Sequence, residues 1–151
     1  MIRLYQPQDL EPLMSLWLTT TTEAHPFIDQ SYWLDSEPLV RNVYIPDATT
    51  WVYSRSGDID GFISVMEQQF IGALFVRQSE QGKGVGKTLM AQAQEHYPKL
   101  LLEVYQQNLT AVSFYQKMGF TTASEQPHPE TNQITLIMQW MADLSGYSSS
   151  A

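Results

Sequence analysis

The chain has 151 residues, 43% of them hydrophobic, which suits one domain built around a single core. Its formal net charge is −8 and no basic stripe is present to follow a phosphate backbone, so nucleic-acid binding is not expected. The absence of cysteine excludes disulfides, a thiol nucleophile and a thiolate zinc site, and no run approaches the roughly 20 apolar residues that span a bilayer.

The N-terminus lacks the basic-then-apolar pattern of a secretory leader, and a cytoplasmic protein is expected. Ile2 to Tyr5 reads as a short strand. Leu10, Leu13, Met14, Trp17 and Leu18 recur at helical spacing behind Asp9 and Glu11, which predicts an amphipathic helix over residues 9–22. His25-Pro26-Phe27-Ile28 interrupts it. A second helical region follows from about Ser31 to Tyr44, with Pro38 either kinking it or opening a new first turn after Ser36. Trp51 to Arg55 and Gly61 to Met66 flank Gly57-Asp58 and read as a hairpin, and Phe70 to Val76 is the next strand. Up to residue 67 there are ten acids and three bases, a net of −7; residues 68–151 hold six and five, a net of −1. An acidic first half beside a basic turn suits two ligands of opposite charge, although acids also simply keep a small protein in solution.

That turn is Gln81-Gly82-Lys83-Gly84-Val85-Gly86, between the apolar strand and a helix from about Gly84 to His96. Three glycines in five positions remove the side chains that would keep a ligand off the backbone. A helix starting there directs unpaired N–H groups and its positive dipole end into the turn, and Lys83 and Lys87 add charge, so an anion such as a phosphate is the expected guest. A P-loop needs its first glycine at position 81, which is Gln81; a dinucleotide turn needs its third at position 87, which is Lys87. Both patterns miss by one residue.

Pro98 ends the helix, Leu100 to Tyr105 is a buried strand, and Asn108 then caps another helix. Ala111, Phe114, Tyr115 and Met118 share one face of it and Gly119 stops it. Phe120 to Glu125 and Asn132 to Trp140 are the last strands, around Pro127-His128-Pro129, and residues 143–151 read as a flexible tail behind a single domain of residues 1–142.

Gln81, Gly84 and Gly86 fit Gln/Arg-x-x-Gly-x-Gly/Ala, and Asn108, Ala111, Phe114, Tyr115, Gly119 and Phe120 fit Asn-x-x-Ala-x-x-Phe-Tyr-x-x-x-Gly-Phe. In these two motifs the chain resembles the GNAT superfamily of N-acetyltransferases, firmly over residues 60–120 and by element order outside them. The resemblance implies an α/β (α+β) fold: a mixed, mostly antiparallel sheet of about seven strands with about four helices, splayed where coenzyme A enters. It also implies acetyl-CoA as co-substrate, with no metal. The main chain of Gln81, Gly82, Lys83, Gly84, Val85, Gly86 and Lys87 would hold the diphosphate, with Asn108 nearby. Leu74 and Val76 would pair with the pantetheine amides, since exposed strand edges need partners. An N–H near Leu74 would steady the thioester oxygen.

Direct transfer to a primary amine leaves two proton tasks. By similarity to the family Tyr115 donates to the departing thiolate, because a phenol with pKa near 10 stays protonated at neutral pH. Glu103, inside an apolar strand, is expected to be desolvated and to serve as base, as in relatives acting on protein N-termini. Glu67 and His25 are alternatives; His96 reads as a helix-dipole partner, and His128 is given no role. Phe27, Tyr32 and Trp33, with Glu67, are expected to line the acceptor side. The acceptor stays open between protein N-termini, lysines and small amines, as does a monomer or a homodimer. A CoA-binding module without catalysis and a P-loop phosphotransferase are the competing readings; release of thiol from acetyl-CoA with a panel of amines separates them from an enzyme.

Overall fold

The computed structural model describes residues 1–142; the tail expected at 143–151 lies outside the described residues. Strand β1 (Ile2–Leu4) leads through a short 3-10 turn into helix α1 (Leu10–Ala24). Arg3 clamps Asp9 at the foot of that helix through two hydrogen bonds of 2.7 and 2.9 Å, and the Gln6 N–H donates to the same carboxylate at 2.8 Å. Held this way, the Asp9 carboxyl lies below its ordinary pKa, the Arg3 hydrogen bond being the main cause.

Helix α2 (Gln30–Leu39) starts at an Asp29 cap, whose side chain accepts from the Ser31 N–H at 2.9 Å. Pro38 sits inside it and cannot donate to the preceding turn, and the chain answers by widening to a π-helical segment, Val40–Tyr44, before a last turn, α3 (Ile45–Asp47). The helical region expected either to kink at Pro38 or to restart after Ser36 is thus one run that changes its winding.

Strands β2 (Thr49–Arg55), β3 (Asp58–Met66) and β4 (Phe70–Val76) form an antiparallel meander. Helix α4 (Val85–His96), strand β5 (Lys99–Tyr105), helix α5 (Leu109–Lys117) and strands β6 (Thr121–Pro127) and β7 (Ile134–Met141) complete the chain. The sheet order is β1-β2-β3-β4-β5-β7-β6, antiparallel except between β4 and β5. Among the described residues no helix is long and apolar enough to cross a membrane.

Two cores cover the two faces of the sheet. Leu89, Met90 and Ala93 of α4 pack on Ile63, Val65, Leu100, Leu102 and Val104, with residues of α5 alongside. On the other face Leu13, Leu16 and Trp17 of α1 pack on Val52, Ile59 and Phe62. Each fully buried side chain of this kind stabilises the fold by about 1.5–3 kcal/mol relative to exposure.

One strand pair departs from the regular ladder. Strands β4 and β5 pair only at Phe70↔Leu101 and Ile71↔Leu102, so from Gly72 onward β4 has no paired neighbour on that side among the described residues. Gly72 is skipped in the β3 ladder, where Ser64 faces Ala73 and Val65 faces Ile71. Such a bulge bends and twists the strand. The parting of the two strands therefore begins at the bulge.

Candidate active site

The open edge of β4 carries a defined set of main-chain groups. Arg77 N–H donates to the Asp60 carbonyl at 2.7 Å, on the β3 side. By the alternation of an antiparallel ladder, Ala73 and Phe75 also turn their polar groups to β3, while Leu74 and Val76 turn theirs to the gap. Gln81 confirms the direction: its Nε2 donates across to the Val76 carbonyl at 3.0 Å and ties the turn to the strand end.

Beyond Gln81 the turn is held open by backbone conformation. Gly82 and Gly84 have φ of 81° and 88°, in the left-handed region, and a Cβ at either would meet no atom of the described residues within 4 Å. The free space lies at the N-terminus of α4, where Gly84 is the cap and its carbonyl takes the Thr88 N–H at 3.0 Å and hydroxyl at 2.8 Å. The N–H groups of Gly82, Lys83 and Gly84 find no main-chain acceptor among the described residues. Gly86 has a different task, since its Cβ would touch Phe114 and Val76 at 3.5 and 3.6 Å; it lets α4 approach α5. The Val85 side chain belongs to the core, so only its main chain faces the turn.

An ion network fixes this turn from behind. Glu80, 9% exposed, pairs with Arg55 and lies 3.5 Å from Lys83 Nζ. Asp60, 6% exposed, lies 3.7 Å from Arg55 and 3.5 Å from Arg77. Desolvation pushes the Glu80 carboxyl up, but Arg55 and Lys83 outweigh it and hold it below its ordinary pKa. Lys83 is thus partly engaged, while Lys87 is exposed.

Asn108 caps α5, accepting from the Ala111 N–H at 3.3 Å. The helix brings Tyr115 to the core face that also receives Leu74 and Val76. Its half-buried ring packs between Phe114 and Phe120, at centroid distances of 5.5 and 5.9 Å. Desolvation pushes its phenol up to about 12. It remains a proton donor at any physiological pH.

Strand alternation corrects the expectation for Glu103. Leu100, Leu102 and Val104 point into the core, so Glu103 lies on the opposite face, where it is exposed and accepts a hydrogen bond from Thr135 Oγ1 at 2.8 Å. It is not a desolvated acid in an apolar wall. Glu67 stands farther off. It occupies the exposed β3–β4 turn with a φ of 54°, at the end of β4 away from the glycine turn, and the fold does not gather it with the other candidates.

Phe27, Tyr32 and Trp33 do come together, and with residues that sequence reasoning passed over. His25 lies 5.7 Å from Phe27, 5.0 Å from Trp33 and 5.3 Å from Tyr105, measured between ring centroids. His128, from the proline loop given no role, is 5.8 Å from Tyr105 and 6.3 Å from Tyr32. Tyr105 had a legible signal: it sits two residues after Glu103 and so shares its face. His128 had none, because only the tertiary fold brings β6–β7 beside α2. His96 is elsewhere, 5.0 Å from Trp51.

His25 itself is buried, and its Nδ1–H donates to the Thr21 carbonyl at 2.6 Å. Desolvation lowers its pKa below the ordinary 6.5, with the Thr21 contact opposing. The unfolded chain therefore binds this proton more readily, so stability should fall as pH drops from about 6.5 toward the folded value. We expect thermal melts to show this loss above pH 5, before carboxylates titrate, and His25→Gln to flatten it. An identical pH profile in the variant would remove His25 as the cause.

The glycine turn, the strand gap and the α5 signature define a class. A profile described as the acetyltransferase (GNAT) domain matches residues 31–140, and the chain belongs to this family of acetyltransferases. Among its relatives, the peptidyl-lysine N-acetyltransferase YiaC of Escherichia coli K12 is 44% identical over 140 residues, 93% of this chain and 96% of that protein. Peptidyl-lysine N-acetyltransferase YjaB of the same organism is 33% identical over 119 residues, 79% of this chain and 80% of its own. The solution structure of apo-form YjaB matches with a TM-score of 0.80 at 29% identity, covering 93% of this chain and 96% of that one. A PaiA N-acetyltransferase from Thermoplasma acidophilum, solved in complex with coenzyme A, shares the fold with a TM-score of 0.77 at 20% identity, over 94% and 98% of the two chains.

Proposed function

We propose that the protein transfers an acetyl group from acetyl-CoA directly to the side-chain amine of a lysine in a peptide or protein. The observation that carries this reading is the unpaired edge of β4 running from its bulge to an open glycine cradle, with Tyr115 on the same face. The two curated relatives named for peptidyl-lysine support the choice of acceptor.

When bound, acetyl-CoA supplies an acyl group activated as a thioester. The free N–H groups of Gly82, Lys83 and Gly84 and the first turn of α4 suit its diphosphate, with Lys87 adding charge. The outward main-chain groups of Leu74 and Val76 suit the pantetheine amides, although Gln81 already holds the Val76 carbonyl. The Leu74 N–H is free to steady developing negative charge on a carbonyl oxygen. Tyr115 holds the proton destined for the leaving sulfur.

A lysine amine is harder to prepare than an α-amine. At pH 7 an α-amine is ~10% neutral and a lysine well below ~0.1%, a difference of roughly 3.5 kcal/mol that the site must supply. Glu103, held by Thr135 on the acceptor face, is our choice for taking that proton, directly or through water. Phe27, Tyr32 and Trp33 form the acceptor wall, and Glu67 is dropped from it.

The test is transfer to two peptides in the presence of acetyl-CoA, one with a single lysine and a blocked N-terminus, the other with a free N-terminus and no lysine. The reading expects a 42-dalton gain, about the mass of one acetyl group, on the first. Acetylation of the second alone would overturn the lysine assignment, and transfer to neither peptide nor to free amines would leave only a CoA-binding module.

A further inference from the structure

We propose that the ring-lined chamber between the α1–α2 linker and the β6–β7 loop captures the acceptor as an alkylammonium cation, and that Glu130 is the residue selecting that charge. The inference rests on the lysine reading above and extends it to a residue no motif singles out.

Three separate stretches of chain build the chamber: His25 and Phe27 from the α1–α2 linker with Tyr32 and Trp33 from the start of α2, Tyr105 from the end of β5, and His128 from the β6–β7 loop. Aromatic faces attract cations, and enclosure by several rings is a recurrent way of holding alkylammonium groups. Two carboxylates stand at the same place. Glu130 accepts from the Tyr32 hydroxyl at 3.4 Å, and Glu103 lies two residues before Tyr105 on the shared strand face. Among the described residues neither carboxylate has a salt-bridge partner, whereas Asp60 and Glu80 near the glycine turn are both paired with cations.

Both charges are felt inside. Burial is the first cause raising the Tyr105 phenol, and Glu103 and Glu130 raise it further against hydrogen bonds that lower it. Burial also pushes Tyr32 up to about 12, with Tyr105 and Glu130 adding to the effect. The ring cluster is therefore partly desolvated and flanked by two carboxylates that no lysine or arginine among the described residues pairs with.

Glu130 is exposed, but the loop that carries it is tied down. Its N–H donates to His128 Nδ1 at 3.1 Å, the His128 N–H donates to the Gln133 carbonyl at 2.8 Å, and the Asn132 N–H donates to the His128 carbonyl at 2.8 Å. Thr131 Oγ1 donates to the Tyr105 hydroxyl at 3.3 Å, which fastens the loop to β5. Pro127 and Pro129 restrict the backbone on either side.

The test pairs a binding measurement with kinetics. Tryptophan fluorescence would follow titration with n-butylammonium and, separately, with n-butanol, for the wild type and Glu130→Gln. The cation should bind at least about fivefold more tightly than the alcohol, and the variant should lose most of that preference. In the transfer assay Glu130→Gln should raise KM for the lysine peptide about fivefold at low salt, leave kcat within about twofold, and weaken the salt dependence of KM. A KM and a cation preference both unchanged in the variant would overturn the inference while leaving acetyl transfer intact. Cation-selective binding by a protein that acetylates nothing would uphold the chamber and sink the lysine reading instead.

Discussion

Tyr115→Phe should lower kcat by about 10²–10⁴-fold, the range expected when a positioned general acid is removed, with the dissociation constant for acetyl-CoA nearly unchanged. The separation follows from where the hydroxyl sits. Its ring packs against Phe114 and Phe120, contacts that phenylalanine keeps, and burial alone accounts for its raised pKa. The variant should therefore fold as the wild type does. With the phenol at about 12, the wild-type rate should show no alkaline loss attributable to this group below about pH 11. The measurement is turnover across pH 6 to 10 beside calorimetric titration with acetyl-CoA. A rate within about twofold of wild type at every pH would remove Tyr115 as the proton donor.

Gly84→Val should cost about 100-fold or more in acetyl-CoA affinity. Two effects combine. A φ of 88° is disfavoured for a side chain branched at Cβ, by about 1–2 kcal/mol. In a chain of this size that predicts a fall in Tm of about 2–8 °C with the fold retained. The larger effect is steric: the new side chain enters space that no atom of the described residues approaches within 4 Å, the space proposed for the diphosphate. Losing two charge-assisted hydrogen bonds there would remove about 3–6 kcal/mol of binding, far beyond what the strain explains. Gly84→Ala carries similar backbone strain with less bulk, and its intermediate affinity would separate the two. Unchanged binding by Gly84→Val would move the diphosphate out of this turn.

Glu103 and Glu67 show where periodicity was enough and where it was not. An apolar strand with one acid suggested a desolvated carboxylate. The same alternation, applied residue by residue, puts Glu103 on the face opposite Leu102 and Val104, and that is where it lies, exposed and bonded to Thr135. Glu67 reads from the sequence as an alternative base at the end of a hairpin strand, but the turn it occupies closes at the end of β4 away from the glycine turn.

The sequence by itself determined the local elements and the cradle. Gly82 and Gly84 can take left-handed conformations with no side chain in the way, Asn108 can cap a helix, and the spacing from Ala111 to Met118 can only sort one face inward. These are properties of neighbouring residues, so they are written in neighbouring positions. Tertiary structure alone decided which distant side chains share a space: Arg55 with Glu80 behind the turn, and Tyr105, His128 and Glu130 with the aromatics of the α1–α2 linker and the start of α2. Those meetings depend on β7 inserting between β5 and β6 and on β4 parting from β5 after two residue pairs. Long-range packing sets both, and no short window of sequence records it.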